Sequence, residues 1–232
     1  MKKCCVLFSG GIDSTTSLYW ARKNYDHVSP LTFNYGQRHA VEIEMAKKIT
    51  ADLNISQTLL FVDLQQISGS SLTDPEQNLP EFFASEDIKA GVPSTYVPFR
   101  NGIFLSLAAA WAEVRDIPDL ICGFNVIDSP NYPDTTHDFA QAMETAINLG
   151  TEVAYGKKKA FRVLAPFVDQ KKSDIIREGL SLGADYTYSI SCYAGKEIPC
   201  LKCSSCLLRQ KAWNEAGKND PLITRLKKEG KL

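Results

Sequence analysis

The chain has 232 residues, of which 44% are apolar and 23% charged, and a formal charge of −1; this suits one globular domain with room for a small appendage. That charge gives no whole-molecule attraction to nucleic acid or anionic lipid, and no apolar run is long enough for a leader or a bilayer span, so a cytoplasmic protein with no nucleic-acid or membrane partner is expected. Seven cysteines, with four crowded near the C-terminus, argue against a disulfide framework and for a metal site in a reducing compartment.

The apolar run at residues 4–8 reads as a buried parallel strand. It stops at Ser9-Gly10-Gly11, and a helix-compatible segment begins at Asp13-Ser14. Glycines at positions 10 and 11 remove the Cβ atoms that would hold a bulky anion away from the backbone. The amides of residues 11–15 then lie at a helix N-terminus, where unpaired N–H groups and the dipole both favour phosphate. Ser9, Ser14 and Thr15 add hydroxyl donors there. Neither the Walker loop nor the G-x-G-x-x-G fingerprint is present.

Along the chain, residues 15–23 read as a helix, 28–34 as a strand, 41–53 as a helix and 58–63 as a strand. Residues 69–94 lack periodicity and are too long for a plain connector, so they read as a functional flap or a partly ordered insertion. The segment 101–114 follows as a helix with apolar Ile103, Phe104, Leu107, Ala108 and Trp111. Then come a strand at 119–124, a helix near 139–149, a strand at 161–165 and a helix at 173–182 that ends at Gly183. Strands alternating with helices predict an α/β fold with a doubly wound parallel sheet. Ligands gather at the carboxyl ends of such strands, where the Ser-Gly-Gly loop lies.

Cys192, Cys200, Cys203 and Cys206 form C-x7-C-x2-C-x2-C. Four thiolates at short intervals can converge on one zinc ion and leave no open ligand position, so the metal would be structural. An iron–sulfur cluster takes the same four ligands and remains the rival. Cys4, Cys5 and Cys122 lie in apolar strands and read as small core residues.

The Ser-Gly-Gly-Ile-Asp-Ser loop resembles that of the N-type ATP pyrophosphatases, which split ATP between its α- and β-phosphates. Three further motifs, in order, are Asn34-Tyr35-Gly36-Gln37-Arg38-His39, Tyr96-Val97-Pro98-Phe99-Arg100-Asn101, and Gly123-Phe124-Asn125 preceding Asp128 and Tyr132-Pro133-Asp134. With the loop and the cysteines they resemble the 7-cyano-7-deazaguanine synthase (QueC) family of queuosine biosynthesis over nearly the whole chain. The resemblance implies an adenine nucleotide alpha hydrolase-like, PP-loop domain over residues 1–190. Residues 191–232 would form a small Cys4 zinc-binding module with terminal helices, packed as part of the same unit.

The implied reaction converts 7-carboxy-7-deazaguanine to its nitrile with ammonia and ATP, by adenylation of the carboxylate and then of an amide intermediate. Phe8, Ser9, Gly10, Gly11, Ile12, Asp13, Ser14, Thr15, Thr16, Ser17 and Leu18 would bind ATP, with Asp13 holding Mg²⁺ or orienting the loop. Arg38, Arg100 and Lys172 would neutralise phosphate or carboxylate charge. His39 is a candidate general base for ammonia; Asp13, Arg38, His39 and Lys172 make up the catalytic set. Gln37, Arg100, Asn101, Asp128 and Asp134 are the candidate substrate contacts. Phe99, Phe124 and Tyr132 are candidate platforms for a purine-like ring.

Three positions depart from the family pattern: Thr135-Thr136 stand where Cys-Arg is usual, and Phe99 stands where glycine is common. Free ammonia is the expected donor, since there is no room for a glutaminase domain, and a homodimer is left open. The alternative is a PP-loop tRNA-thiolating enzyme with an iron–sulfur cluster, for which the Lys/Arg-rich residues 200–232 could meet RNA phosphates.

Overall fold

Cys4, Cys5 and Val6 are fully buried because β1 (Lys3–Leu7) runs through the middle of a sheet covered on both faces. The computed structural model describes residues 1–38, 40–67, 69–88, 91–127 and 131–232. The other strands are β2 (His27–Asn34), β3 (Thr58–Phe61), β4 (Asp119–Ile121) and β5 (Arg162–Leu164). They are parallel throughout and ordered β3-β2-β1-β4-β5.

The helices are α1 (Ile12–Asn24), α2 (Ala40–Asp52), α3 (Arg100–Glu113), α4 (His137–Gly150), α5 (Lys172–Ser181), α6 (Ser204–Glu215) and α7 (Pro221–Lys228). Alternation along β1 sends its side chains to opposite faces. Cys4 and Val6 meet Leu18 and Ala21 of α1 and Ala46 and Ile49 of α2. Cys5 meets the face covered by Leu105, Ala108 and Ala112 of α3 and Ile147 of α4. After β3 the chain crosses the sheet through α3 to pair β4 on the other side of β1. That reversal leaves a crevice at the carboxyl end of β1.

The predicted doubly wound sheet and its five strands are present, with differences at the ends. Helix α1 begins at Ile12, not at residue 15, because Gly11 is its N-cap and Thr15 N–H already donates to Gly11 O at 2.9 Å. Strand β4 ends at Ile121, since Gly123 turns away to pass over α1; a Cβ there would meet Ser14 N at 2.9 Å. Cys4, Cys5 and Cys122 are core residues, and burial pushes each thiol well above its usual range.

The described residues of the 69–94 segment have few regular elements but are held at several points. Ser71 N–H donates to Ser94 O at 2.8 Å and Phe82 N–H to Lys202 O at 2.9 Å. Ser70, Ser71, Leu72 and Thr73 are buried. The segment therefore ties the turn before α2 to the cysteine cluster.

Past residue 190 the chain packs into the same core. Trp213 of α6 lies among Ile12, Tyr19, Ile175 and Tyr186, and meets Tyr186 edge-on at 5.4 Å. Leu222 and Leu226 of α7 pack with Met45, Ile190 and the cysteines. Pro221 opens α7, and the Asp220 side chain caps it by accepting from Leu222 N–H at 3.0 Å.

Candidate active site

Gly10 adopts φ 82°, a left-handed value that only glycine takes without strain, and this turns the chain sharply from β1 into α1. The turn is fastened by hydroxyls. Ser9 N–H donates to Ser14 Oγ at 3.3 Å, the two Oγ atoms are 3.1 Å apart, and Ser14 Oγ donates to Gly11 O at 3.2 Å. The first amides of α1 therefore open onto the crevice with helix-dipole support.

A cavity of about 300 Å³ fills the crevice, and Ser9, Gly11, Asp13, Ser14 and Gly123 form part of its wall. Lys172, at the start of α5, reaches across so that Nζ lies 2.7 Å from Asp13 Oδ2. The other carboxylate oxygen, Asp13 Oδ1, is buried without a partner among the described residues, as is Thr15 Oγ1. A buried carboxylate oxygen left unsatisfied is costly, and here it fits a metal ion or a donor arriving with a nucleotide.

The loop residues divide in role. Phe8, Ser9, Gly11, Ile12, Asp13 and Ser14 line the cavity, whereas Gly10, Thr15, Thr16, Ser17 and Leu18 do not. Thr16 Oγ1 bonds Ile12 O at 3.0 Å and lies 2.6 Å from the Tyr186 hydroxyl. Ser17 Oγ donates to Asp13 O at 2.9 Å, and Leu18 is core. These last residues hold the helix in place and lie off the cavity wall.

A second group of lining residues contains Tyr35, Gln37, Glu42, Leu72, Thr95, Arg100, Asn101, Phe104, Tyr132 and Tyr193. Arg100 donates to the Tyr35 hydroxyl at 3.2 Å and lies over the Tyr35 and Phe104 rings at 5.6 and 5.9 Å. Gln37 accepts from Tyr35 N–H at 2.8 Å, which sets its own turn. The Thr95 hydroxyl lies 3.0 Å from that of Tyr132. Burial pushes the Glu42 carboxyl up to about 8, against the opposing pull of the Arg100 guanidinium.

Several expected residues lie elsewhere. The Arg38 guanidinium donates to the carbonyls of Asp74 and Gln77 and does not line the cavity, so it anchors the 69–94 segment. Asp134 is buried, accepts from Asn101 N–H at 2.9 Å and so caps α3; only Asn101 of that pair reaches the cavity wall. Of the three candidate aromatic platforms, Phe124 and Tyr132 line the cavity. Phe99 instead packs edge-on against Phe139 at 5.9 Å. Its φ of 52° explains why glycine suits that position. Thr135 lines the cavity and Thr136 caps α4, accepting from Phe139 N–H at 3.1 Å. The assignments to His39 and Asp128 fall outside the described residues.

Sequence reading missed Glu42, Thr95, Tyr193 and Arg209. Glu42 looks like an ordinary acid in the first turn of a helix, and Arg209 like a surface cation. Arg209 is in fact buried, pairs with Asp220 at 2.5 Å and reaches the cavity wall.

The Sγ atoms of Cys192, Cys200, Cys203 and Cys206 all lie within 4.8 Å of one another, close enough to hold one metal ion. Tetrahedral Zn–S bonds would set the sulfurs about 3.8 Å apart, and Cys200 Sγ and Cys206 Sγ are 4.0 Å apart. The Cys200 and Cys203 amides point at Cys192 Sγ and Cys200 Sγ at 3.2 and 3.3 Å. The Cys203 and Cys206 thiols hydrogen-bond to Cys192, which lowers its thiol pKa and raises theirs. A four-iron cluster would force the sulfurs further apart around its core.

A parallel sheet with this strand order, and a Ser-Gly-Gly loop opening a helix at its reversal point, define a nucleotide-binding protein of the PP-loop class. The family model described as Queuosine biosynthesis protein QueC matches residues 3–217, and the chain belongs to that family.

Curated relatives carry the name 7-cyano-7-deazaguanine synthase. One from Syntrophus aciditrophicus is 43% identical over 96% of this chain and 97% of its own. One from Clostridium kluyveri is 41% identical over 96% and 97%, and one from Thermoplasma acidophilum is 43% identical over 95% and 91%. Among solved structures, a 4-thiouridine synthetase in an RNA complex with bound ATP matches with a TM-score of 0.52 and 19% identity. It covers 99% of this chain and 53% of its own, a likeness of fold alone. No helix among the described residues is long and apolar enough to cross a membrane.

Proposed function

We propose that the protein is a 7-cyano-7-deazaguanine synthase, an ATP-dependent ligase that turns 7-carboxy-7-deazaguanine and ammonia into the nitrile. The observation that carries this reading is one cavity, in a chain of the QueC family, lined both by the Asp13–Lys172 pair beside the Ser-Gly-Gly loop and by the Arg100–Tyr35 group. A phosphate site and a second, partly aromatic pocket in one enclosure suit transfer of a carboxylate oxygen to the α-phosphorus of ATP.

The chemistry follows from the leaving groups. A carboxylate resists ammonia because its carbonyl carbon is electron-rich and oxide would have to leave. Attack of a carboxylate oxygen on the α-phosphorus releases pyrophosphate and makes an acyl-adenylate, from which ammonia displaces AMP to give the amide. A second adenylation at the amide oxygen, followed by loss of AMP and an N–H proton, gives the nitrile. Both carboxylate oxygens leave in AMP.

On this reading the first amides of α1, Ser9 and Ser14 bind the departing pyrophosphate. Lys172 neutralises charge there while held by Asp13, whose free oxygen suits the Mg²⁺ that accompanies ATP. Arg100 and Asn101 line the acceptor pocket, and Arg38 acts as a positioning residue through the 69–94 segment. The ammonia donor is free ammonia. Zinc is the metal assigned to Cys192, Cys200, Cys203 and Cys206, where it supplies structural cross-linking and no chemistry. Residues 191–232 are read as a zinc module whose Tyr193, Ser205 and Arg209 help close the cavity.

Incubation with Mg-ATP, ammonium and the acid tests the reading, followed by mass spectrometry of the base. The amide and then the nitrile, lighter by one water, should appear together with AMP and pyrophosphate. An acid left unchanged while a tRNA gained sulfur would overturn it in favour of thiolation.

A further inference from the structure

Glu42 lies in the first turn of α2, half-buried, with its side chain on the cavity wall beside Gln37, Ile43, Arg100 and Asn101. Four other charged residues line the cavity, and each has a partner. Asp13 pairs with Lys172 at 2.7 Å, Arg209 with Asp220 at 2.5 Å, and Arg100 donates to Tyr35 at 3.2 Å. Among the described residues no donor lies within hydrogen-bonding distance of the Glu42 carboxyl and no cation within 4.0 Å of it. A half-buried carboxyl on a cavity wall with neither keeps its acceptor oxygens open to a ligand that brings donors.

The kind of ligand follows from the acceptor. A carboxylate offers two oxygens in one plane and pairs best with two parallel N–H donors. The amino-pyrimidinone edge of a guanine-type base presents such a pair, the ring N1–H and the exocyclic 2-amino group. The apolar walls at Leu72, Ile43 and Phe104 suit the faces of a flat ring.

We propose that Glu42 is the specificity-determining residue that reads the N1–H and 2-amino edge of the base, so that the enzyme selects a guanine-type and rejects a hypoxanthine-type substrate. This rests on the function proposed above. The two N–H donors of the bound base favour the ionised carboxylate, with the Arg100 guanidinium adding to the same side, and the reacting 7-carboxylate is directed away from Glu42, since like charges would repel.

The test uses the full-length, metal-loaded protein and ATP–pyrophosphate exchange with 7-carboxy-7-deazaguanine and with its 2-desamino analogue. The wild type should prefer the guanine by roughly 100-fold in kcat/KM, the scale of losing a hydrogen bond to a charged partner. In Glu42→Leu the preference should fall to within about threefold, through a raised KM for the guanine and with the KM for ATP little changed. Glu42→Gln, which keeps one acceptor oxygen, should be intermediate. Calorimetric titration of the nitrile product into both variants gives a readout without turnover and should show the same order.

An unchanged preference in Glu42→Leu overturns the assignment, as does an equal loss for both bases, which would mark a structural role. A fall in kcat alone, with selectivity intact, overturns it in favour of proton transfer. No exchange by the wild type with either base would overturn the proposed function itself, and the inference with it.

Discussion

Lys172 Nζ stands 2.7 Å from Asp13 Oδ2, an ion pair between side chains 159 positions apart that joins the first turn of α1 to the first turn of α5. Both groups are mostly buried, at 15% and 21% exposure, so the pair is weakly screened and orients both side chains.

Asp13→Asn should therefore retain the fold and lose pyrophosphate release by at least about 100-fold, on the order of 3 kcal/mol of transition-state stabilisation. Lys172→Met should act in the same direction. If the two work as a unit, the double variant should be little worse than the worse single one. Steady-state AMP formation, read beside a thermal melt, checks all three; near-normal turnover in Asp13→Asn would remove Asp13 from the catalytic set.

The cysteine cluster should carry one zinc per chain by elemental analysis. Structural zinc in small modules is bound with on the order of 10 kcal/mol of apparent free energy. Cys203→Ser should lose the metal and loosen the packing of Ile190, Leu222 and Leu226 against Met45. The expected signs are a lower Tm and rapid proteolysis beyond residue 190. Iron with visible absorbance in the purified protein would contradict the zinc assignment.

Phe99 and Gly102 are coupled. A Cβ on Gly102 would lie 2.4 Å from the Phe99 ring, which left-handed backbone and Phe139 hold in place. Gly102→Ala should cost about 1–2 kcal/mol with Phe99 present. In the Phe99→Gly background the same change should be neutral or stabilising by up to about 1 kcal/mol, the helix preference of alanine. A double-mutant cycle in urea measures the difference, and strict additivity would refute the coupling.

Glu42 sets a pH dependence. Burial raises its folded value from 4.5 to about 8, with Cys192 adding to the shift and Arg100 opposing it. Between those two values the folded state holds more protons at this site than the unfolded state, so its contribution to stability is present at low pH and is lost as pH rises toward 8. Relative to Glu42→Gln, the wild type should therefore lose stability from about pH 5 to about pH 8. Urea titrations of the metal-loaded proteins across that range test the sign, and parallel curves would count against it.

Much of this was legible in the chain. Local patterns are carried by neighbours in sequence: the apolar run into Ser9-Gly10-Gly11 specified strand, turn and phosphate-facing helix start, and the cysteine spacing specified a convergent ligand set. Tertiary structure decided which side chains face one another. Arg38 carries the right charge in the right motif, yet its Nη2 donates to the carbonyls of Asp74 and Gln77, because the buried 70–73 stretch brings that segment onto it. Asp134 likewise became the cap of α3. Conversely, Glu42 and Arg209 carry no sequence signal beyond a charge on a helix. Their positions on the cavity wall exist only because α2 and α6 are packed against the crevice beside β1. Spacing along a chain fixes which residues share a turn of helix, whereas the burial of a charge, and the partner it keeps or lacks, is set by elements that meet only when the sheet is covered.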